Sequence, residues 1–225
     1  MEGNRSTITV AVDVVLFAVR DRTLHVLLVE RGRPPFKGTW ALPGGIVEPQ
    51  EPLAAAARRE LAEETGVTEI PYLRQLAAFG QPDRDPRGRV ISIAYLGLLP
   101  KPEDVHGADD AASAAWWNVN ALPPLAFDHQ EILACAVKRL RCLVTEDPRL
   151  LFYLVPIPFV MSELRHAYEG VMGREIDKRN FRRLILRHNW VEPGDMRPNK
   201  GRGRPAREYR PREGLLPRAP NDECP

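Results

Sequence analysis

The chain has 225 residues, of which 44% are apolar, and a formal net charge of only +2. That is enough for two domains with ordinary cores and excludes a wholly disordered chain. Residues 1–148 hold 16 Lys/Arg against 20 Asp/Glu, whereas 149–225 hold 16 against 10, a switch from −4 to +6 that points the basic half toward nucleic acid or a membrane surface.

Thr7 to Val19 and Leu24 to Glu30 are β-branched, apolar runs separated by Arg20-Asp21-Arg22, and they predict two strands joined as a hairpin. The first run contains Asp13 and lacks a basic leader and cleavage site, so no signal peptide is expected. The loop Arg31 to Gly38 then leads through Trp40 into Leu42-Pro43-Gly44-Gly45, a short strand that delivers a charged helix.

That helix is expected from about Pro52 to Thr65. Pro52 suits a first helical position, Ala54 to Ala57 and Leu61 are strong formers, and Gly66 is a left-handed stop. Glu60 and Glu64 are four residues apart and Glu63 is three from Glu60, so all three carboxylates share one edge. Like charges one turn apart repel. Clustered carboxylates suit a hard cation such as Mg²⁺ or Mn²⁺, although most Glu/Arg runs are simply solvated helix faces. The whole pattern is more specific. Gly45, five residues, Glu51, seven residues, Arg59-Glu60-Leu61, one residue, Glu63-Glu64, one residue and Gly66-Val67 match the Nudix box without a departure, and the chain resembles a Nudix domain. The resemblance implies an α/β/α sandwich in which Glu60, Glu63 and Glu64 hold the metal and join Arg59 in a catalytic group. Arg59 would position a carboxylate, and Gly45, Glu51 and Gly66 would shape the box. The residues alone predict only a mixed α/β domain.

Tyr72 to Phe79 and Val90 to Leu99 predict further strands, joined by the charged, turn-rich loop Gln81 to Arg89. In Nudix families that hydrolyse or bind ADP-ribose this loop lies near the substrate, so Arg84 and Arg89 are candidate nucleotide contacts; a solvated hairpin tip is the equal alternative. Trp116 to Val119 is expected as a last short strand, its indoles serving core and interface. Asp128 is expected to cap a helix, with capping-box spacing to Glu131 and a Phe127–Ile132 staple. His129 reads as an early-helix residue. Cys135 and Cys142 share that helix seven residues apart, roughly 10 Å, too far to bridge. With Cys224 they form no metal-like pair, and a reduced, cytoplasmic protein is expected.

The character changes after Glu146-Asp147-Pro148. We expect a Nudix domain over 1–148, a second domain over 149–213 and a disordered tail over 214–225. Leu150 to Val160 is broken by Pro156 and Pro158 and is too short to span a bilayer. Ser162 is expected to cap a helix whose Leu164, Ala167, Tyr168 and Val171 share a face, ending at Gly173. Asp177 caps a second, from Lys178 to about His188, with Phe181, Leu184, Ile185 and His188 inward and Arg179, Arg182 and Arg183 outward. Trp190-Val191-Glu192 and Ala206 to Tyr209 read as the strands of a wing, with Lys200, Arg202 and Arg204 among glycines at its tip, as in an AT-hook. From Arg174 to Arg212 there are 13 basic and 5 acidic residues. A winged helix-turn-helix binding DNA through these six cations is expected over a merely basic appendage.

The two halves in this order resemble the Nudix-related transcriptional regulators of NAD metabolism. The resemblance rests on the box, the Asp83 to Arg89 loop, Met161 to Arg165, Asp177 to Arg183 and Gly203-Arg204-Pro205. It implies a homodimeric repressor of NAD-biosynthesis genes that binds a double-stranded DNA operator, releases it on sensing ADP-ribose or a related nucleotide, and has no membrane association. Many members have a degraded box. This chain keeps every box residue, which leaves ADP-ribose pyrophosphatase activity open and keeps an Mg²⁺-dependent pyrophosphatase with an accessory basic domain as the alternative.

Overall fold

The computed structural model describes residues 7–102, 111–198 and 205–217. β1 (Thr9–Arg20) and β2 (Thr23–Arg31) form the expected hairpin, turned by Asp21 and Arg22, both left-handed as a two-residue turn between twisted strands requires. β3 (Trp40–Ala41) pairs with β2, and β4 (Gly44–Ile46) pairs with β1. β5 (Tyr72–Phe79) and β6 (Val90–Leu98) complete the central order β3-β2-β1-β6-β5, in which β1 and β6 run parallel. β7 (Ala111–Asn118) pairs with β2 and is longer than the four residues expected, because residues 111–115 continue the pairing along β2 as far as Arg31.

β1 is buried on both faces, as befits a central strand. Val12, Val14, Leu16 and Ala18 pack with Ala56, Ala57 and Leu61 of α1 (Leu53–Thr65). Val15 and Phe17 face the other way, onto Ile132, Leu133, Ala136 and Leu140 of α2 (His129–Glu146). The period of two thus produces the α/β/α sandwich, with both helices covering a sheet that no polar face could leave exposed.

The second half is a winged helix. α3 (Met161–Met172) and α4 (Lys178–Arg187) sit against a three-stranded sheet of β8 (Phe159–Val160), β9 (Val191–Arg197) and β10 (Ala206–Pro211), ordered β8-β10-β9. The architecture changes near residue 148, but the core does not break. A 3-10 helix over Pro148–Leu154 carries Leu150, Leu151, Phe152 and Leu154 into one apolar cluster that runs from Phe17 and Leu140 to Leu164, Phe181 and Tyr209. Residues 214–217, expected in the tail, lie along this helix: Tyr153 donates to the Pro217 carbonyl at 2.6 Å and Arg149 to that of Leu215. Residues 218–225 fall outside the described set.

Four local expectations change. Pro52 precedes α1 as an extended N-cap residue rather than opening it. Glu163, not Ser162, caps α3, accepting from the Val160 N–H at 2.8 Å. Asp128 precedes α2 but gives it no side-chain cap, because its carboxylate is taken by a buried guanidinium described below. His188 is exposed at the end of α4 and stacks on Trp190, with centroids 4.5 Å apart, instead of facing inward.

Candidate functional site

The loop before α1 and the helix itself are built around each other. A Cβ on Gly45 would overlap the Glu60 carboxylate, and one on Gly44 would overlap the Val12 carbonyl, so neither position accepts a side chain without movement. Gly44 N–H donates to Glu64 Oε2 at 2.9 Å. Gly66 ends α1 at φ 76°, where a glycine carries no Cβ penalty.

Arg59 holds the acidic edge together. Its Nε and Nη2 donate to the two Glu51 oxygens at 2.8 and 2.9 Å, and its Nη1 donates to Glu60 and Glu63 at 2.9 and 3.0 Å. Glu51 also accepts from Glu48 N–H, tying the loop to the helix. One cation does not neutralise four carboxylates. Burial pushes Glu60 upward, and it pushes Glu64 to about 8, with the charges of Glu60 and Asp13 adding to the effect.

A half-buried carboxylate pair with surplus negative charge fits a divalent, oxygen-loving cation. No three His, Cys, Asp or Glu groups form a closed cage among the described residues. Glu60 and Glu64, with Glu63 at the more exposed edge, form an open set of carboxylates that a divalent cation would complete with water and phosphate oxygens.

The cavity above them is about 610 Å³, within the range of ligand pockets. Its floor is a buried polar network. Asp13 accepts from the Ser92 hydroxyl, lies 3.3 Å from His129 Nε2 and 3.4 Å from Arg84 Nη2. Leu42 N–H donates to His129 Nδ1 at 2.8 Å, so the ring is the tautomer that carries its proton on Nε2, facing Asp13. Burial alone would raise Asp13; His129, Ser92 and Arg84 outweigh it and hold the carboxyl below its ordinary range. Arg84 closes a fork on Asp128 at 2.9 and 2.6 Å. The wall adds Arg31, Arg87, Arg89 and Phe127. The lining thus combines the carboxylates of α1 with basic and aromatic side chains, and Arg31 lies close enough to Glu64 and Asp13 for their charges to act on it.

In the winged half, Asp177 caps α4 by accepting from Arg179 and Asn180 N–H at 3.1 and 3.0 Å. Phe181 and Ile185 are buried, leaving Arg179, Arg182 and Arg183 exposed. Arg182 reaches back to the Tyr209 hydroxyl at 3.0 Å, linking α4 to the wing strand β10. Arg197 is locked between Glu208 and Glu163, both at 2.6 Å, and fixes the wing to the start of α3.

Residues 7–136 match the NUDIX domain family, and residues 151–210 match the NrtR DNA-binding winged helix domain. Over 203 residues, 88% of this chain and 80% of the relative, the sequence is 36% identical to the ADPR responsive transcriptional repressor NtrR of Acinetobacter baylyi. The chain belongs to the NrtR family. Its first half is also 43% identical to the ADP-ribose pyrophosphatase of Methanocaldococcus jannaschii, over 55% of this chain and 70% of that one. Shewanella oneidensis NrtR, solved with a 27mer DNA, shares the whole fold: TM-score 0.77 at 30% identity, covering 92% of this chain and 95% of that one. The Nudix domain of the same Shewanella protein, solved with ADP ribose, matches 60% of this chain and 90% of its own length, at TM-score 0.57 and 36% identity.

In this NrtR-family chain the expected residues divide. Arg59, Glu60, Glu63 and Glu64 line one cavity with Arg84 and Arg89. Arg84, however, is engaged by Asp128 and Asp13, and Arg89 Nη1 donates to the Gly80 carbonyl at 2.6 Å. Both support the loop that walls the cavity. Arg179, Arg182 and Arg183 share the outer side of α4, whereas Lys200, Arg202 and Arg204 lie outside the described residues. Sequence reasoning missed Asp13, His129, Arg31, Arg87 and Phe127 as cavity residues. One signal was available: a lone aspartate in an otherwise apolar central strand must have a buried partner.

Proposed function

We propose that this NrtR-family protein is a DNA-binding transcriptional repressor of NAD-biosynthesis genes whose Nudix domain senses ADP-ribose or a related nucleotide. The observation that carries the reading is the union, over one continuous apolar core, of a nucleotide-sized cavity and a winged helix with a basic recognition helix. The relatives support it: the Acinetobacter protein is named for its response to ADPR, and Shewanella NrtR is known with both DNA and ADP ribose.

In this reading Arg179, Arg182 and Arg183 contact the major groove or its flanking phosphates, and Lys200, Arg202 and Arg204 the minor groove beside it. A homodimer sets two recognition helices on half-sites about one DNA turn, ~34 Å, apart. Nucleotide binding biases that geometry, and DNA is released. Glu60, Glu63 and Glu64 would hold Mg²⁺ or Mn²⁺. Such a metal, when bound, screens a diphosphate and lowers the pKa of a coordinated water. Arg59 keeps the carboxylates in place, Glu51 anchors Arg59, and the Asp13–His129 pair holds Leu42 and with it the loop before α1. No helix among the described residues is long and apolar enough to cross a membrane. Operation in the cytoplasm is part of the same proposal.

The test is a mobility shift with upstream DNA of NAD-biosynthesis genes at fixed, near-physiological salt, with and without ADP-ribose. Fixed salt matters because phosphate contacts alone bind any DNA at low salt. Specific binding weakened by ADP-ribose is expected; sequence-independent binding indifferent to ADP-ribose would sink the reading.

A second reading is favoured by the complete box and by the Methanocaldococcus relative: the cavity also cleaves ADP-ribose. Glu64→Gln is then expected to abolish Mg²⁺-dependent cleavage while leaving DNA affinity intact. Inactivity of the wild type across metals and nucleotides would make the cavity a sensor only.

A further inference from the structure

Residues 212–217 leave β10 and return from the winged helix to the junction with the Nudix half. At the winged end, Arg212 N–H donates to the Trp190 carbonyl at 2.9 Å and its Nη2 to the Asn189 side chain at 3.0 Å. Asn189 and Trp190 form the exit of α4: Asn189 is left-handed at φ 55°, and its N–H closes on the Leu186 carbonyl at 3.1 Å. A turn follows, with Leu215 N–H on the Arg212 carbonyl at 3.2 Å and Gly214 at φ 73°, a conformation glycine takes without a Cβ penalty. At the far end Tyr153 donates to the Pro217 carbonyl at 2.6 Å, and Arg149 reaches that of Leu215 at 3.5 Å.

The two anchors at that end are themselves fixed to the Nudix half. The Tyr153 ring lies against Tyr72 of β5, with centroids 5.2 Å apart. Arg149 closes its fork on Asp147, with Nε at 2.8 Å and Nη2 at 2.7 Å. Asp147 N–H in turn donates to the Leu143 carbonyl at 2.8 Å and ends α2. The opposite end of α2 is His129, in the cavity wall. The 18 residues of α2 make a rod of about 27 Å, packed on Val15 and Phe17 of β1. Cavity wall, α2, residues 212–217 and the exit of the recognition helix are therefore joined in series.

We propose that residues 212–217 are a strap that makes the exit of α4 follow α2, so that a nucleotide acting on the His129 end of α2 changes how the recognition helix meets DNA. The apolar core shared by the two halves resists their separation, but apolar burial is non-directional and permits sliding. Hydrogen bonds at both ends of a short strap are directional and fix the orientation that the core leaves free. The inference rests on the nucleotide-sensing reading above and names the element that carries the signal between the two sites.

The test compares the wild type with a chain ending at Glu213 and with Tyr153→Phe, which keeps the ring and removes the donor. The readout is the ratio of operator Kd with and without saturating ADP-ribose at fixed salt, expected at about 5–150 for the wild type. Both variants are expected to bind operator alone and ADP-ribose alone within about twofold of wild type, while the ratio falls at least about threefold. An unchanged ratio overturns the strap, and so does a Tyr153→Phe variant that loses affinity for either ligand by itself, since the contact then only stabilises one half. Tyr153→Phe decides the matter if the shortened chain fails to fold. A second measurement needs no nucleotide: spin labels at Cys142, exposed on α2, and at Arg187→Cys, exposed on α4, with Cys135 and Cys224 replaced by serine. The distance distribution is expected to broaden in both variants, and an unchanged distribution overturns the strap. A wild-type ratio of one, with broadening in the variants, upholds the strap as a brace and overturns the sensing reading alone.

Discussion

Arg22, at the tip of the β1–β2 turn, donates through Nε to the buried carboxylate of Glu169 in α3 at 3.1 Å. Asp13, at the cavity floor, belongs to the same strand whose far end leads into that turn. One strand therefore reaches from the nucleotide cavity to the helix that supports the recognition helix. The fit is close: a Cβ on Gly170 would come within 2.9 Å of Val19 Cγ1 and 3.3 Å of the Arg22 carbonyl.

Glu169 also accepts from Arg165 and from Ile176 N–H, and these partners overcome the upward push of burial to hold its carboxyl below the ordinary 4.5. A depressed carboxyl stabilises the fold above its unfolded pKa and loses that contribution as pH falls through the folded value. Glu169→Gln is expected to be less stable than wild type by ~1–3 kcal/mol at pH 7, with the gap closing below about pH 4. Thermal unfolding across pH checks this. ADP-ribose should also release operator DNA from the variant less completely, although each ligand alone still binds.

Glu64 is a half-buried carboxylate beside Glu60 and Asp13 with one N–H donor and, among the described residues, no direct cation of its own. Glu64→Gln keeps the acceptor for Gly44 and removes the charge. The metal-free variant is expected to melt about 3–6 °C above wild type at pH 7.5, and added Mg²⁺, which should raise the wild-type Tm, should leave the variant unchanged. A lower Tm for the metal-free variant would show that the charge is stabilising as it stands.

Gly45→Ala should separate metal affinity from folding. The added methyl meets the end of a flexible Glu60 side chain rather than backbone. We expect a stability change below about 1 kcal/mol and roughly tenfold weaker Mn²⁺ binding, read by electron paramagnetic resonance. Unchanged Mn²⁺ affinity would remove Glu60 from the metal site.

On α4 the arginines differ in kind. Among the described residues Arg183 pairs only with Asn180 on its own helix, whereas Arg182 clamps Tyr209 on the wing. Arg183→Ala should weaken all DNA sequences similarly and reduce the salt slope by about 1. Tyr209→Phe, which retains Arg182 but removes the hydroxyl clamp, is expected to weaken operator more than random DNA. An equal loss on both would mean that the clamp does not set the helix's alignment.

Much of the chain was legible because it is local. The spacing of Glu60, Glu63 and Glu64 sets one helix edge, Gly66 ends that helix, and Asp177 caps the next, all through contacts within a few residues. The β-branched, apolar run of β1 likewise foretold a strand, whereas the helices on both of its faces were implied only by the family resemblance, the residues alone predicting a mixed α/β domain.

Partner choice among charged groups was not local. Asp128 had the spacing of a cap, yet it pairs with Arg84, 44 residues away, and His129 joins Asp13 across 116. A solvated N–H at a helix end gains little from a carboxylate, whereas a guanidinium taken out of water must have one. The sequence alone thus determined the helices, strands, domain order and acidic edge. Only the tertiary structure decided which charges are buried together, and through that burial which residues line the cavity and which join it to the winged helix.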